Sequence, residues 1–364
     1  MPIYYDIRND INKYPDAWLY IVYSKRGPGK TYSTLRYCIE EDIKFIYMKR
    51  TIEDVRMLLA ADAGKLKTDA AADFSPFVPL NRDLGWDIKA FEIDKKSGLA
   101  GFYHSAETEE GEIIPKGKCL GYIIAATAAS KFKGFDMSDC LIDIYDEFIP
   151  RPWDRVNRKE GDQVLDLYLT IQRDQLKRGM PELKLICLAN AANISNPLLY
   201  TMDLMDIAAE MNVTGTEYHY DDYKSYMMHQ IPAEFDKEEN TKKSGIERMM
   251  EGTPFGEMAF GGKFGYNDFS AIGKVQLKGY RPYCAFKFKK RTYYVYMKDG
   301  KYYICYSAYK VGKIYDLDEE LVSMKFYYDY IIDLKNEAID GNVNFESYTA
   351  YDLVLNYKKI FDIR

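Results

Sequence analysis

The sequence predicts an α/β fold with a parallel central sheet, followed by a second, α+β domain. Three stretches carry that prediction. The apolar run Ala17 to Tyr23 reads as a buried strand, a Gly- and Pro-bearing loop follows at Ser24 to Thr31, and Thr31 to Ile43 reads as a helix. Lys44 to Lys49 then returns as a second apolar strand. Strand, loop, helix and strand at this spacing form a βαβ unit, which requires parallel pairing. Further on, Cys140 to Asp146 is an apolar strand that ends in the adjacent acids Asp146 and Glu147.

Composition narrows the class. The 364 residues suffice for two domains, and 47% hydrophobic content supports a sizeable core. Six cysteines are scattered without a Cys-x-x-Cys pair and read as reduced core residues of a cytoplasmic protein, so neither a disulfide framework nor a zinc site is expected. The three histidines, His104, His219 and His229, lie far apart in sequence. No apolar run reaches the roughly 18 residues of a membrane span, and the N-terminus lacks a signal-peptide pattern, so a soluble protein with no membrane association is expected. A net charge of −6 argues against a uniformly basic surface and leaves room for a local basic face.

Taken in order, residues 1 to 16 form a polar, Tyr-rich lead-in. Tyr4, Tyr5 and Asn12 are candidates to contact a nucleobase, against the plainer reading of a surface lead-in. The loop Ser24-Lys25-Arg26-Gly27-Pro28-Gly29-Lys30-Thr31 has the pattern of a phosphate cradle. Backbone N–H groups at the helix start would hold phosphates, Lys30 would reach the β and γ oxygens, and Thr31 would take Mg²⁺. Ser24 stands where the usual pattern has Gly, while Gly27 and Gly29 still supply backbone freedom.

A helix is expected from Ile52 to Leu59, and residues 60 to 90 lack periodicity. Asp87 to Asp94 and Leu99 to His104 flank a turn at Lys95 to Gly98 and read as a hairpin inserted into the core. Gly121 to Ala126 is another buried strand. In a nucleotide-hydrolysing site, Asp146 would hold Mg²⁺ through water, and Glu147 would orient and deprotonate the attacking water. Asp143, inside the same strand, is unusual there. Residues 163 to 178 read as a helix with Arg173 and Arg178 near its end, and Leu183 to Ala189 as a strand whose tip, Asn190, is placed to sense a terminal phosphate. A change to polar, aromatic and charged composition then suggests a domain boundary. The expected division is a nucleotide-binding domain over 1 to 208, a linker region over 209 to 252 and a C-terminal domain over 253 to 364.

Arg281 to Lys313 contains nine basic residues against one acid, Asp299. Strands over Tyr283 to Lys289, Thr292 to Met297 and Lys301 to Ser307 suggest a meander with turns at Lys290-Arg291 and Asp299-Gly300. Arg281, Lys287, Lys289, Lys290, Arg291, Lys298 and Lys301 are the candidate nucleic-acid contacts, with tyrosines available to stack on bases. A solvated sheet face over packed tyrosines is the competing reading. Leu317 to Ile339 and Tyr348 to Phe361 have helical periodicity and should cover the sheet.

The loop and the acidic strand end together define an additional-strand (ASCE) P-loop ATPase. The chain resembles the DNA-packaging ATPases of phi29-like phages, relatives of large terminase subunits. The matching features are Arg26-Gly27-x-Gly29-Lys30, Phe45-Ile46-Tyr47-x-Lys49-Arg50 and Asp146-Glu147-Phe148. To these are added Phe264-Gly265, Arg281-Pro282, Thr292-Tyr293 and Gly300-x-Tyr302-Tyr303. The resemblance is weakest over 60 to 115 and 209 to 250.

The resemblance implies ATP and Mg²⁺ at the loop, with Lys30 and Thr31 on phosphate and Mg²⁺, Asp146 on Mg²⁺ and Glu147 as catalytic base. It further implies a homo-oligomeric ring, a pentamer in the family, in which Arg173 and Lys133 of a neighbouring subunit act on the terminal phosphate. Arg178, Arg155 and Arg158 are rivals for that role. The implied C-terminal domain is ribonuclease-H-like, and it should be vestigial as a nuclease because Cys284 to Phe288 carries no acid to hold metal. The expected function is ATP-driven translocation of double-stranded DNA into a procapsid, with the portal and a structural RNA as further partners. The expected location is the host cytoplasm, transiently docked on the procapsid and absent from the mature virion. Alternatives are a helicase-like or recombination ATPase, or a nucleotide-binding assembly protein that does not turn ATP over. A GTPase is disfavoured because no Asn-Lys-x-Asp motif is present.

Overall fold

The structure, a computed structural model, describes residues 4–59, 74–132, 135–151, 154, 157–173, 175–235, 243–310 and 312–363. These fall into two compact units, one of residues 1–153, 162–192 and 217–265, the other of residues 154–161, 193–216 and 266–364.

The first unit is built on a nine-stranded sheet. Its strands are β1 (Leu19–Ser24), β2 (Phe45–Lys49), β3 (Ile88–Asp94), β4 (Leu99–Glu107), β5 (Ile113–Ala125), β6 (Ile142–Asp146), β7 (Lys184–Asn190), β8 (Tyr218–Asp221) and β9 (Tyr226–Gln230). Their order is β3-β4-β5-β2-β6-β7-β1-β9-β8. The six inner strands, β5 through β9 in that order, pair in parallel, and antiparallel pairing joins β3 to β4, β4 to β5 and β8 to β9 at the two edges. Every residue of β1 and β6 is buried, as expected of strands covered on both faces. The βαβ unit and the Ile88–Glu107 hairpin thus stand as the sequence predicts.

Four expectations change. The lead-in is not all surface: it forms a helix, Ile7–Lys13, capped by Asp6, with Ile7, Asp10 and Ile11 buried. Tyr5 is also buried and donates to Asp10 Oδ2 at 2.6 Å. The expected linker contains β8 and β9, and β9 lies in parallel register beside β1 from Leu19↔Tyr226 to Tyr23↔Gln230. The buried run Tyr226-Met227-Met228-His229 supplies the apolar surface that the surrounding polar composition concealed. Residues 193–216 belong with the C-terminal unit, where the Asp206 carboxylate accepts from the Thr349 N–H and hydroxyl, each at 2.9 Å. The helix expected over 163 to 178 runs over Glu160–Gln172, followed by a short 3-10 turn at Leu176–Arg178.

The second unit contains β10 (Arg281–Phe288), β11 (Arg291–Lys298), β12 (Lys301–Cys305), β13 (Tyr315–Asp316) and β14 (Val343–Phe345) in the order β13-β10-β11-β12-β14. The first three form the predicted antiparallel meander, and β13 and β14 add in parallel at its two edges. The first turn is shifted by one residue to Lys289-Lys290, and Asp299 and Gly300 both adopt positive φ in the second. Helices at Glu320–Phe326, Ile332–Ile339, Tyr348–Leu355 and Tyr357–Phe361 account for the predicted helical tail. Three of the meander tyrosines, Tyr293, Tyr296 and Tyr303, are core residues, and Tyr283, Tyr294 and Tyr302 are half-buried. Tyr293 stacks on Phe286 at 5.0 Å, and Tyr296, Tyr303 and Cys305 form a buried cluster.

Candidate functional site

The loop Ser24–Thr31 connects β1 to the helix Lys30–Glu40. Gly27 and Gly29 have φ of 98° and 90°, and Gly29 caps the helix in the left-handed region, where only glycine sits without strain. Their conformations turn the loop around the helix start. Pro28 has no N–H to offer a ligand. Ser24, the departure from the usual pattern, makes a contact glycine could not: the Lys30 ammonium donates to its hydroxyl at 2.5 Å. Lys30 also donates to the Lys25 carbonyl at 3.2 Å and reaches Asn190 Oδ1 at 3.5 Å.

These three acceptors are neutral, and burial lowers the Lys30 pKa to about 8 against the raising effect of Asp146. An anion in front of Lys30 would pair with the ammonium and raise that pKa again. Parallel pairing of β1 with β7 sets Asn190 directly beside Ser24, so the strand tip named from sequence does reach the loop.

The acidic strand end completes the group. Thr31 Oγ1 donates to Asp146 Oδ1 at 3.0 Å, and Tyr47 donates to Asp146 Oδ2 at 2.5 Å. Glu147 has a φ of 56°, a left-handed conformation that costs a non-glycine residue about 1–3 kcal/mol. Its own N–H donates to Asp146 Oδ1 at 3.1 Å, and its carbonyl accepts from Arg50 Nη2 at 3.2 Å, which holds the strained turn. A cavity of about 260 Å³ joins Lys30, Thr31, Tyr32, Asp146, Glu147 and Asn190. Residues far apart in sequence therefore share one polar cavity at a helix N-terminus.

Sequence reasoning missed the second strand's part in this site. Lys49 donates to Asp146 Oδ2 and Glu147 Oε2, both at 3.2 Å. Burial pulls the Lys49 pKa down, but the two carboxylates outweigh it and leave the ammonium above its ordinary value. The available signal was spacing: Tyr47 and Lys49 share one face of β2, and β2 pairs directly with β6. The contact behind the loop was also missed. Arg26 N–H donates to the Ala259 carbonyl at 3.3 Å, and a Cβ on Gly262 would lie 3.0 Å from Lys25 N.

The candidate trans-acting cations are only partly placed. Arg173 is exposed just beyond the helix Glu160–Gln172, and Arg178 is exposed with Ser138 Oγ at 3.5 Å. Arg158 lies 4.0 Å from the Glu320 carboxylate, while Lys133 and Arg155 fall outside the described residues.

The basic meander divides in two. Arg281, Lys290, Lys298 and Lys301 are exposed. Lys287 pairs with Asp316 at 2.9 Å, and Lys289 is half-buried with its N–H donating to Asp318 Oδ2 at 2.9 Å. Arg291 is a clamp on its own unit, 2.6 Å from Asp203 Oδ1 and 3.7 Å from Asp206 Oδ2. Arg291→Ala is expected to lower stability to urea by about 2 kcal/mol, the scale of a charge-assisted hydrogen bond. Lys290→Ala should leave stability unchanged and, with DNA bound through phosphates, reduce the slope of log affinity against log salt by about one. Equal urea midpoints for Arg291→Ala and wild type would refute the clamp.

Residues 111–325, more than half of the chain, match the family model for Podovirus DNA encapsidation protein (Gp16). The chain is 24% identical over 362 residues to the DNA packaging protein of Bacillus phage phi29, covering 96% of this chain and 86% of that one. It is 26% identical over 257 residues to the DNA packaging protein of Bacillus phage B103, covering 68% and 65%. Its fold is similar to the Phi-29 viral genome packaging motor assembly, with a TM-score of 0.63 at 18% identity over 98% of this chain and 99% of that chain. A similar likeness holds to the Phi-28 gp11 DNA packaging motor, with a TM-score of 0.61 at 15% identity over 100% and 99%.

Proposed function

The chain belongs to the Podovirus DNA encapsidation protein (Gp16) family, and from that premise we propose that it is an ATP-hydrolysing motor that moves double-stranded viral DNA into a procapsid. One observation carries the ATPase reading. The Lys30 ammonium, the Thr31 hydroxyl and the Asp146 and Glu147 carboxylates line a single cavity at the start of the helix Lys30–Glu40. This is the donor and acceptor set that P-loop hydrolysis requires.

In this reading the backbone N–H groups of Gly27, Gly29, Lys30 and Thr31 orient the triphosphate. Lys30 sits against its terminal oxygens, and Asn190 registers the terminal phosphate. Thr31 and Asp146 fit Mg²⁺, since their oxygens already converge to 3.0 Å on the cavity wall. When bound, the ion would neutralise charge on the phosphate oxygens. Glu147, whose side chain is 63% exposed, is free on its outer side to position a water and accept its proton. Lys49, bridging Asp146 and Glu147, orients both carboxylates. Arg173 or Lys133 of a neighbour in a ring, a pentamer in our reading, would add positive charge at the terminal phosphate.

The second unit is read as a ribonuclease-H-like fold without nuclease chemistry. This is supported by the antiparallel meander, by a β10 that carries no acid, and by Lys287, which occupies Asp316. Its exposed cations Arg281, Lys290, Lys298 and Lys301 suit sequence-independent phosphate contacts. Portal and a structural RNA would be its other partners, in the host cytoplasm. The direct test is Mg²⁺-dependent ATP turnover by the purified chain. Steady turnover supports the motor, and none under any condition, with DNA and procapsids present, would leave an assembly protein.

A further inference from the structure

We propose that Tyr4 and Tyr32 form the platform on which the base of the bound nucleotide stacks. The inference rests on the nucleotide reading above and adds the part of the ligand that the phosphate cradle does not explain. Tyr32 lies two residues after Lys30 and is the aromatic member of the described residues lining the cavity. Tyr4 stacks on it with ring centroids 5.5 Å apart and planes 25° from parallel.

This pair is built onto the loop. The N–H of Tyr5 donates to the Pro28 carbonyl at 2.8 Å, which fixes the lead-in against the loop. The Tyr4 ring covers Gly29 so closely that a Cβ there would lie 3.0 Å from Tyr4 Cδ1. A core role does not account for the pair, because Tyr4 is 49% exposed while its neighbour Tyr5 is 3% exposed and packs inward. The three lead-in candidates thus separate. Tyr5 belongs to the core with Asp10, Asn12 is exposed on the helix Ile7–Lys13, and Tyr4 stacks on Tyr32 and covers Gly29, both of which line the phosphate cavity.

Chemistry favours a purine. A broad π surface beside a polar cradle binds a flat heteroaromatic ring through its face, and every base offers a face, so ring size counts for more than edge pattern. Arg36, Arg82 and Asp83 act electrostatically on the Tyr32 hydroxyl and flank the platform with charge. Base recognition through the lead-in also ties residues 4 and 5 to the occupied state of the loop.

The test compares ATP with inorganic tripolyphosphate, which has the phosphates and no base. Affinities for both, in Mg²⁺, are measured for wild type, Tyr4→Ala, Tyr32→Ala, Tyr4→Phe and Tyr32→Phe. Each Ala variant should bind ATP about 10-fold more weakly and tripolyphosphate as wild type does, and the Phe variants should retain ATP affinity. Unchanged ATP affinity in both Ala variants overturns the platform, and so does an equal loss for tripolyphosphate, which would show the rings shaping the loop. Wild type that binds neither ligand overturns the nucleotide reading itself, a separate and recognisable result.

Discussion

Glu147→Gln is expected to slow ATP hydrolysis by about 10²–10⁴-fold while leaving nucleotide affinity close to wild type. Gln keeps the size of the side chain and loses the basicity that takes a proton from water. Binding should persist because Lys30, Thr31 and the loop backbone hold the phosphates, and the Glu147 carboxylate is on none of them. Arg50 holds the left-handed turn through the backbone carbonyls of Glu147 and Phe148, at 3.2 and 2.9 Å, so the substitution leaves that geometry standing. The check is steady-state ATPase with a parallel binding titration. Wild-type turnover by the variant would remove Glu147 from the chemistry and shift attention to the shared Lys49 network.

Asp143→Asn is expected to stabilise the fold, and to do so more at high pH. Asp143 lies in the middle of β6, paired between Ile46 and Leu185, and is fully buried. Neither carboxyl oxygen meets a hydrogen-bond partner among the described residues. Burial raises its pKa to about 8, against about 3.9 for an unfolded chain. The folded chain therefore keeps a proton that the unfolded chain releases as pH rises through 4. The fold holds more protons than the unfolded state across this window, so stability falls from about pH 4 to pH 8 and levels off above it. At 1.36 kcal/mol per unit the wild-type loss is at most ~6 kcal/mol. Asn cannot ionise, so urea midpoints for the variant should change less between pH 5 and pH 8.5. Parallel pH profiles for the two proteins would contradict a buried, protonated Asp143.

Legibility in the sequence followed the range of the interaction. The loop, its flanking strand and helix, and the acidic strand end are local patterns, and each stands where the residues place it. Thr31 meeting Asp146 was implied by the chemistry of the motif, and Ser24, which broke the pattern, is explained by the Lys30 contact. What escaped notice needed three dimensions. Lys49 reaches Asp146 only because β2 lies beside β6, and the linker reading failed because β9 pairs with β1 more than 200 residues away. Seven cations between Arg281 and Lys301 looked alike in one dimension, yet Arg291 is committed to Asp203 and Lys287 to Asp316. Tyrosine abundance was ambiguous for the same reason: burial assigns Tyr293, Tyr296 and Tyr303 to packing, and exposure sets Tyr4 apart.

In the proposed motor, ATP turnover drives DNA into a container. The measurement is nuclease protection of double-stranded DNA by the wild-type chain and by Glu147→Gln, with matched procapsids and ATP. The motor predicts protected DNA only when wild type, ATP and procapsids are all present. ATP turnover by wild type that never yields protected DNA would contradict it, and would point to a helicase-like ATPase.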